Sequence, residues 1–156
     1  MPPGAMSRLA SAFVRIRLAG PEERDALEDL QRRASLALPQ YREQLEANPD
    51  AIDLPAEQIE SGQVLVAEAD GAIAGFAAVL IAGDRAEVDG LFVEPEHWRK
   101  GVGTALANAA IHEARRSGLS LTVVASPTAR GFYERCGFVV EGDAATRFGP
   151  AFRMSR

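Results

Sequence analysis

The sequence predicts an α/β fold in which helices flank a mixed, mostly antiparallel sheet, and three observations support this prediction. Several short segments alternate apolar and polar residues, as half-buried strands do. Asp70-Gly71 separates two apolar runs and is the strongest signal for a two-residue hairpin, which makes two of the strands antiparallel. A strand, a long helix beginning at Gly101 and a further strand then follow in succession, as in a crossover connection.

The first third of the chain is predicted to contain one strand followed by helices. Phe13–Leu18 alternates apolar and basic residues and ends before Pro21, which suits the first turn of a helix. This helix is expected to end near Ala37. Three prolines interrupt Pro39–Ser61, which predicts a broken helical segment, acting as a mobile flap, with one clear helical piece at Tyr41–Ala47. Residues predicted on the buried face of the first helix are Ala26, Leu27, Leu30 and Ala34.

Three strands are predicted in the middle of the chain. Gln63–Glu68 and Ala72–Ile81 flank the hairpin turn. The second of these is almost entirely apolar, which predicts a central strand buried on both faces. Gly83-Asp84 marks the next turn, and Arg85–Val93 is the third strand, which Pro95 ends.

The last third is predicted to contain two helices and three strands. A helix over Gly101–Ser117 stops at Gly118, because glycine readily adopts the left-handed conformation that closes a helix. The elements predicted after it are the strand Leu119–Val124, the short helix Pro127–Arg135 and the strands Phe138–Val140 and Thr146–Met154.

The bulk properties predict one domain over residues 13–156, preceded by a flexible leader at residues 1–12. A chain of 156 residues can bury a core, and a net charge of −5 argues against a broad nucleic-acid surface. The single cysteine excludes an internal disulfide and is typical of a reducing, cytoplasmic compartment. No apolar run approaches the ~20 residues of a membrane span. A membrane partner is therefore not expected. No His, Cys or Asp cluster has metal-ligand spacing, so a metal is not expected either.

The segment Trp98–Thr104 joins a strand to a helix and is the candidate anion site. The start of a helix offers unpaired backbone N–H groups and the positive end of the helix dipole. Gly101 and Gly103 have no Cβ, so a pyrophosphate can approach the backbone, and Arg99 and Lys100 add positive charge. On this loop alone, a tight turn without a ligand explains the two glycines equally well.

Two motifs taken together resemble those of the GNAT superfamily of N-acetyltransferases. The phosphate loop of that family reads Gln/Arg-x-x-Gly-x-Gly/Ala, and here Gly101 and Gly103 fill the small positions while Trp98 occupies the first. The second family motif reads roughly Asn-x-x-Ala-x-x-Phe-Tyr-Glu-x-x-Gly-Phe. It is matched by Ser126–Phe138, with serine in place of the asparagine. The resemblance is specific over Ala86–Gly137 and looser outside it.

The resemblance implies a sheet splayed between its fourth and fifth strands, with acetyl-CoA as the acyl-donor cosubstrate and its pantetheine arm in the gap. It implies that the backbone of Leu91 and Val93 pairs with the arm and that the Val93 amide stabilises the oxyanion. It also implies direct transfer of the acetyl group to a primary amine within a ternary complex. The remaining residues implied in cofactor binding are Arg99, Lys100, Gly101, Val102, Gly103 and Thr104 on the loop, and Ser126 and Phe132 beside the arm.

Acetyl transfer needs a neutral amine, and an alkylamine with a pKa near 10.4 is free base in only about one part in 2,500 at pH 7. A nearby carboxylate would help to remove the proton. Period-two alternation predicts that Glu87 and Asp89 share a strand face with Leu91 and Val93, so both are candidate bases, with surface charge as the alternative role. Tyr133 matches the tyrosine that acts as the acid in the family, and packing in the core is its alternative role.

Other functions remain open on the sequence. A non-catalytic acyl-CoA-binding or regulatory module would explain the departures at Trp98 and Ser126, and a plain interaction domain predicts no CoA binding. The acceptor is expected to be a small-molecule amine or a peptide amine, and acidic Glu87, Asp89 and Glu94 favour a cationic one. The sequence does not decide which acceptor, which acyl chain, or whether the chain forms a homodimer.

Overall fold

Seven strands form one sheet in the part of the chain that the structure describes. They are β1 (Val14–Leu18), β2 (Val64–Ala69), β3 (Ala72–Ala82), β4 (Arg85–Val93), β5 (Leu121–Ala125), β6 (Val139–Thr146) and β7 (Gly149–Ser155). Their order in the sheet is β1-β2-β3-β4-β5-β7-β6. The β4–β5 pair is parallel and all other pairs are antiparallel, which confirms the predicted mixed sheet. The computed structural model describes residues 14–156, so the predicted leader and Phe13 lie outside it.

Helices flank the sheet, as predicted. The α-helices are α1 (Arg24–Leu36), α2 (Pro39–Ala47), α3 (Ala56–Glu60), α4 (Val102–Arg116) and α5 (Arg130–Arg135), with 3-10 turns at Pro21–Glu23, Pro49–Ala51 and Pro95–His97. Pro39 and Pro49 each open a helical piece and Pro55 immediately precedes α3, because proline suits the first helical turn but not the interior. The predicted broken helical segment is therefore confirmed.

Within residues 14–156, no helix combines the length and the apolar character that crossing a membrane requires.

The hairpin between β2 and β3 turns at Asp70-Gly71, as the sequence predicts. Both residues have positive φ, 55° for Asp70 and 78° for Gly71. A two-residue turn with positive φ at both positions matches the right-handed twist of the two strands it joins. The local sequence therefore determines the β2–β3 pairing.

The core lies on both faces of β3, which confirms the prediction of a central, doubly buried strand. Helix α4 covers one face and α1 covers the other, each through buried apolar side chains. Ala26 is exposed, contrary to prediction, because it lies about 100° around α1 from its buried neighbour Leu27. The α4 side includes Ala77, Val79, Val102, Leu106 and Ala110, and the α1 side includes Leu27, Leu30, Phe76 and Ala78.

The last two strands differ from the prediction in their bounds. β6 continues to Thr146, where the sequence predicts the last strand to begin, and β7 starts only at Gly149. β6 is an edge strand. Edge strands tolerate charged side chains, so the polar residues Glu141 and Asp143 do not end it.

β4 contains a β-bulge at Asp89. Ala78 of β3 lies opposite Gly90, and the next residue, Val79, lies opposite Val88, so Asp89 has no partner on β3. A bulge inserts one residue into a strand, bends it and increases its local twist. The direction of β4 therefore changes at this residue.

The bulge also changes which β4 residues share a face. Leu91 and Val93 pack on the α4 side of the sheet together with Val88, whereas Glu87 faces the α1 side. The prediction that Glu87, Asp89, Leu91 and Val93 share one face is therefore wrong. Period-two alternation holds only in a strand that has no extra residue.

The sheet opens between β4 and β5, as the resemblance implies. The two strands pair only from Ala86 to Val88 on β4 and from Leu121 to Val123 on β5. Beyond this point β4 continues to Val93 without β5, and the end of β5 pairs only with β7. The unpaired stretch leaves a gap between the two strands at the end that follows the bulge.

Arg17 of β1 joins the start of the first helical region to β2. Its guanidinium donates to both carboxylate oxygens of Glu23 at 2.8 Å and also pairs with Glu68. The Glu23 carboxylate in addition accepts the Gly20 N–H at 2.8 Å. The hydrogen bonds from Arg17 hold the pKa of Glu23 below its usual range.

We predict that Glu23→Gln lowers the free energy of unfolding at pH 7 by about 1 kcal/mol. Because the pKa of Glu23 is lowered in the folded state, Glu23 contributes to the free energy of unfolding above about pH 4.3, which is its pKa in the unfolded state. This contribution is lost as the pH falls through the pKa of the folded state. The difference between variant and wild type should therefore shrink below about pH 4, as measured by urea unfolding. Glu60→Gln, which removes an exposed carboxylate, is the control, and an equal loss there would contradict the role of Glu23.

Candidate active site

The gap is bordered on one side by an unpaired edge of β4. The Glu94 N–H donates to the Ala74 carbonyl at 2.8 Å, which places the Glu94 N–H on the β3 side. Backbone groups alternate between the two sides of an antiparallel strand, so the N–H and C=O of Val93 and Leu91 point into the gap. This edge of β4 therefore has free backbone groups at the two residues for which the resemblance implies pairing, and the pairing itself stays a prediction.

Trp98 contacts this edge in a way that sequence reasoning missed. Its indole N–H donates to the Val93 carbonyl at 2.8 Å, across the 3-10 turn Pro95–His97. No sequence pattern predicts that a tryptophan five residues after the end of a strand will donate to the last carbonyl of that strand. The Val93 carbonyl thus already accepts one hydrogen bond, from the indole, while the Val93 N–H faces the gap.

The start of α4 lies at the end of the loop that follows β4. No side chain caps it, and no acidic residue lies in its first turn. The backbone N–H groups of Val102, Gly103 and Thr104 belong to this first turn, which has no intrahelical acceptors. Arg99 and Lys100 are exposed, and neither forms an ion pair with any of residues 14–156. The loop residues predicted to bind an anion are therefore brought together.

The two glycines of the loop serve different needs. Gly101 has a φ of 85°, and a Cβ there would meet nothing within 4 Å, so backbone conformation requires this glycine. A Cβ on Gly103 would lie 3.2 Å and 3.3 Å from ring carbons of Phe132 and 3.7 Å from Val93. The space beside Gly103 is filled by Phe132, so close packing of α5 against α4 is a further reason for this glycine, and the approach of a phosphate to the loop stays a prediction.

Tyr133 is packed between two aromatic rings. It is 6% exposed, and its ring centroid lies 5.0 Å from that of Phe132 and 5.2 Å from that of Phe138, both in edge-on geometry. Burial raises the pKa of its phenol well above the ordinary value of about 10. The phenol therefore keeps its proton at neutral pH. None of the hydrogen bonds among the described residues uses its hydroxyl.

Ser126 initiates the turn that leads into α5. Its hydroxyl oxygen accepts the Ala129 N–H at 3.2 Å, and its carbonyl accepts the N–H groups of Ala129 and Arg130 at 3.0 Å and 3.1 Å. This turn explains why α5 starts at Arg130 and not at Pro127. The serine is thus engaged locally at the position where the resemblance implies a contact with the arm.

Cys136 follows α5 and is half-buried. Burial raises the pKa of its thiol, and the opposing effects of Arg135, Arg156 and the Thr104 hydroxyl are smaller. A thiol with a raised pKa is a poor nucleophile, because the thiolate is the reactive form. Cys136 is therefore unsuited to carry an acyl group.

The two candidate carboxylates both lie on the α1 side of the sheet, but at different positions along β4. Asp89 lines a cleft of about 160 Å³ on the α1 side, whose other lining residues include Gln31, Asp53, Phe76 and Phe92. Glu87 lies opposite Thr122, where β4 and β5 are still paired. Asp89 therefore lies at the open end of the sheet, whereas Glu87 lies at the closed end.

The segment that contains α2 reaches across to the β6–β7 hairpin. Gln40 donates to the Thr128 hydroxyl at 2.9 Å, and Arg147 at the hairpin turn donates to Asn48 at 3.1 Å and to Asp50 at 3.4 Å. Helix α2 has no buried residue. The part of the predicted flap that contains α2 is therefore attached by polar contacts, whereas Leu54 and Ile59 further along it are buried in the core, and its mobility remains a prediction.

The loop residues Glu94 and His97 are in local pairs. Glu94 accepts from Arg33 of α1 at 2.9 Å, and His97 lies 3.9 Å from Glu96. Across residues 14–156, no three His, Cys, Asp or Glu side chains lie together as a metal site.

The comparisons with known proteins agree on one family. The model of the acetyltransferase (GNAT) family matches residues 25–138. The uncharacterized N-acetyltransferase YafP of Escherichia coli K12 is 40% identical over 82 residues, which is 53% of this chain and 49% of that protein. The chain thus spans about half the length of this curated relative.

Solved structures share the whole fold. The PaiA N-acetyltransferase of Thermoplasma acidophilum, crystallised in complex with coenzyme A, is 22% identical, with a TM-score of 0.75 over 92% of this chain and 98% of that chain. A GCN5-related N-acetyltransferase of Rhodopseudomonas palustris is 28% identical, with a TM-score of 0.72 over 91% of this chain and 94% of that chain.

Proposed function

The chain belongs to the acetyltransferase (GNAT) family, and from that premise we propose that it transfers an acetyl group from acetyl-CoA to a primary amine by direct attack in a ternary complex. The observation that carries the proposal is the gap after the bulge, where the free edge of β4 lies beside the uncapped start of α4. The family match supports the activity, and the geometry supports the way in which the cosubstrate binds.

The cosubstrate is proposed to lie along β4 with its pyrophosphate at the start of α4. The first-turn N–H groups of α4 and the helix dipole favour an anion, and exposed Arg99 and Lys100 add charge. The pantetheine arm pairs with the backbone of Leu91 and Val93, whose polar groups face the gap. The thioester carbonyl then accepts the Val93 N–H, which stabilises the negative charge that develops on it.

The amine attacks the thioester carbon, and the thiolate of CoA leaves. Tyr133 is proposed to donate the proton that the thiolate takes up, because a phenol holds its proton at neutral pH and Tyr133 occupies the tyrosine position of the second family motif. An acyl-enzyme route is not proposed, because the Cys136 thiol also has a raised pKa. The amine therefore reacts with acetyl-CoA while both are bound.

Asp89 is proposed as the carboxylate that relays the proton from the amine. It lies at the open end of the sheet, in the cleft on the α1 side, whereas Glu87 lies where β4 and β5 pair. Asp53 lines the same cleft, and rings of Phe76 and Phe92 form part of its wall. Carboxylates beside aromatic rings favour a cationic amine, on a small molecule or on a peptide.

We predict that acetyl-CoA raises the melting temperature, because a ligand that binds only the folded state stabilises it by about 2.7 kcal/mol at a hundred times its Kd. Lys100→Glu should weaken binding roughly tenfold, since it reverses the charge beside the start of α4. Arg85→Glu, an exposed change at the opposite end of β4, is the control and should leave the affinity unchanged. Calorimetric titration measures all three Kd values.

Turnover on a panel of amines then separates the enzyme from a non-catalytic acyl-CoA-binding module. Direct attack predicts acetylated product by mass spectrometry and initial-velocity lines that intersect when both substrates vary. Binding without turnover on any amine would support the module, and no binding at millimolar acetyl-CoA would contradict both functions.

We predict that Asp89→Asn lowers kcat/KM at pH 7 by about 10²–10⁴-fold, the typical contribution of general base catalysis. Glu87→Gln is the matched control and should cost less than about tenfold. The deficit of Asp89→Asn should shrink as the pH approaches about 10, because the amine then loses its proton without help. A pH–rate profile measures both. A larger loss in Glu87→Gln would identify the other carboxylate, and no loss in either would indicate that the amine binds as free base.

We predict that Tyr133→Phe lowers kcat by about 10²–10⁴-fold while acetyl-CoA affinity is kept. Its stability should stay within about 1 kcal/mol of wild type, because the ring contacts remain and the hydroxyl has no partner among the described residues. Because burial raises the pKa of Tyr133, the wild-type profile should show no basic fall from this group up to about pH 10. Full activity would mean that water protonates the thiolate, and a loss of several kcal/mol in urea unfolding would mean that Tyr133 serves packing.

A further inference from the structure

The peptide group between Val93 and Glu94 is held from both sides. Its N–H, which belongs to Glu94, donates to the Ala74 carbonyl of the β3 side at 2.8 Å. Its C=O, which belongs to Val93, accepts the Trp98 indole N–H at 2.8 Å on the gap side. A peptide group with hydrogen bonds at both ends cannot rotate without breaking one of them. The position of Val93 in the gap is therefore constrained.

Trp98 also limits which groups of β4 remain free. An extended chain that adds to a strand edge uses both N–H and C=O groups at alternate residues. At Leu91 both groups face the gap, whereas at Val93 the indole already occupies the carbonyl. An added chain therefore finds a free N–H donor at Val93, whereas the Val93 carbonyl already accepts one of the two hydrogen bonds that it can accept.

We infer that Trp98 is a positioning residue: its bond to the Val93 carbonyl fixes the Val93–Glu94 peptide, and with it the ψ angle of Val93, so that the Val93 N–H on the preceding peptide stays directed toward the thioester carbonyl. This inference rests on the proposed function. A preorganised donor stabilises developing negative charge because it does not have to reorient during the reaction. Trp98 acts through the Val93–Glu94 peptide. Its side chain lies in the loop between the gap and the start of α4, and the residue is 38% exposed.

The indole provides the probe for a direct test, because Trp98 is the single tryptophan of the chain. Coenzyme A, titrated by calorimetry and by tryptophan emission in parallel, should bind and should change the emission with the same Kd. Calorimetric binding without an emission change would place Trp98 away from the arm and would overturn the inference alone. No calorimetric binding would instead remove the proposed function, and the inference with it.

Two substitutions separate the hydrogen bond from the bulk of the ring. Trp98→Phe keeps an aromatic ring and removes the N–H donor. Trp98→Gln returns an N–H donor the same number of bonds from Cα as the indole nitrogen. Trp98→Phe should lower kcat roughly tenfold, a smaller loss than removal of an oxyanion donor itself, while the Kd for coenzyme A changes less than about threefold. Trp98→Gln should recover most of kcat.

The split between kcat and binding decides the outcome. Wild-type kinetics in Trp98→Phe, or equal losses of kcat and of coenzyme A affinity, would contradict a positioning role. Circular dichroism checks that both variants fold. If Trp98→Phe does not fold, the test uses the activity of Trp98→Gln and the tryptophan emission of the wild type. A folded but inactive Trp98→Gln would overturn the inference.

Discussion

One extra residue in β4 determines the geometry of the whole site. The bulge at Asp89 lies immediately after the last β4–β5 pair, at Val88 and Val123. Bulges bend and twist a strand, so β4 departs from β5 at this point and the gap opens. Without the bulge, alternation from Val88 would put Leu91 and Val93 on the α1 side with Asp89, whereas with it both pack on the α4 side. A single irregularity thus opens the gap and puts Leu91 and Val93 on the opposite side of the sheet from Asp89.

The α4 side of the gap is built from tightly packed elements. The first turn of α4 includes the buried Val102, and Gly103 brings the helix against Phe132, which in turn contacts Tyr133. These contacts join α4 and α5 beside the gap. The Trp98 indole, in the loop between β4 and α4, donates a hydrogen bond to the Val93 carbonyl at the end of β4. Dense packing keeps polar groups in place, which suits the binding of a cosubstrate with a constant structure.

The α1 side combines a packed helix with a weakly attached one. Leu27 and Leu30 of α1 are buried in the core, whereas α2 buries no side chain and contacts the β6–β7 hairpin through polar groups. Exposed polar pairs contribute about 0–1 kcal/mol each, so α2 is held much more weakly than α1 or α4. Which helices bury apolar surface thus decides which parts of the site are firmly packed.

Much of the fold follows from local sequence signals. Asp70-Gly71 determines the hairpin, three prolines divide the segment before β2, and the apolar β3 predicts its own central position. Gly101 also predicts the start of α4, because a glycine directly before an amphipathic segment is a local sequence signal. These signals act within a few residues, which is why the sequence alone is enough to read them.

Only the tertiary structure decided which residues of the site meet. The bulge at Asp89 depends on the register between β3 and β4, so alternation within β4 alone wrongly put Leu91 and Val93 on the same face as Glu87. The filling of the space beside Gly103 by Phe132, and the bond from Trp98 to Val93, likewise join elements whose contacts no local pattern encodes. The sequence by itself therefore determined the elements, their order and the glycine-containing loop before α4. Register and long-range packing, which depend on every strand at once, decided the faces and partners of the residues that carry the chemistry.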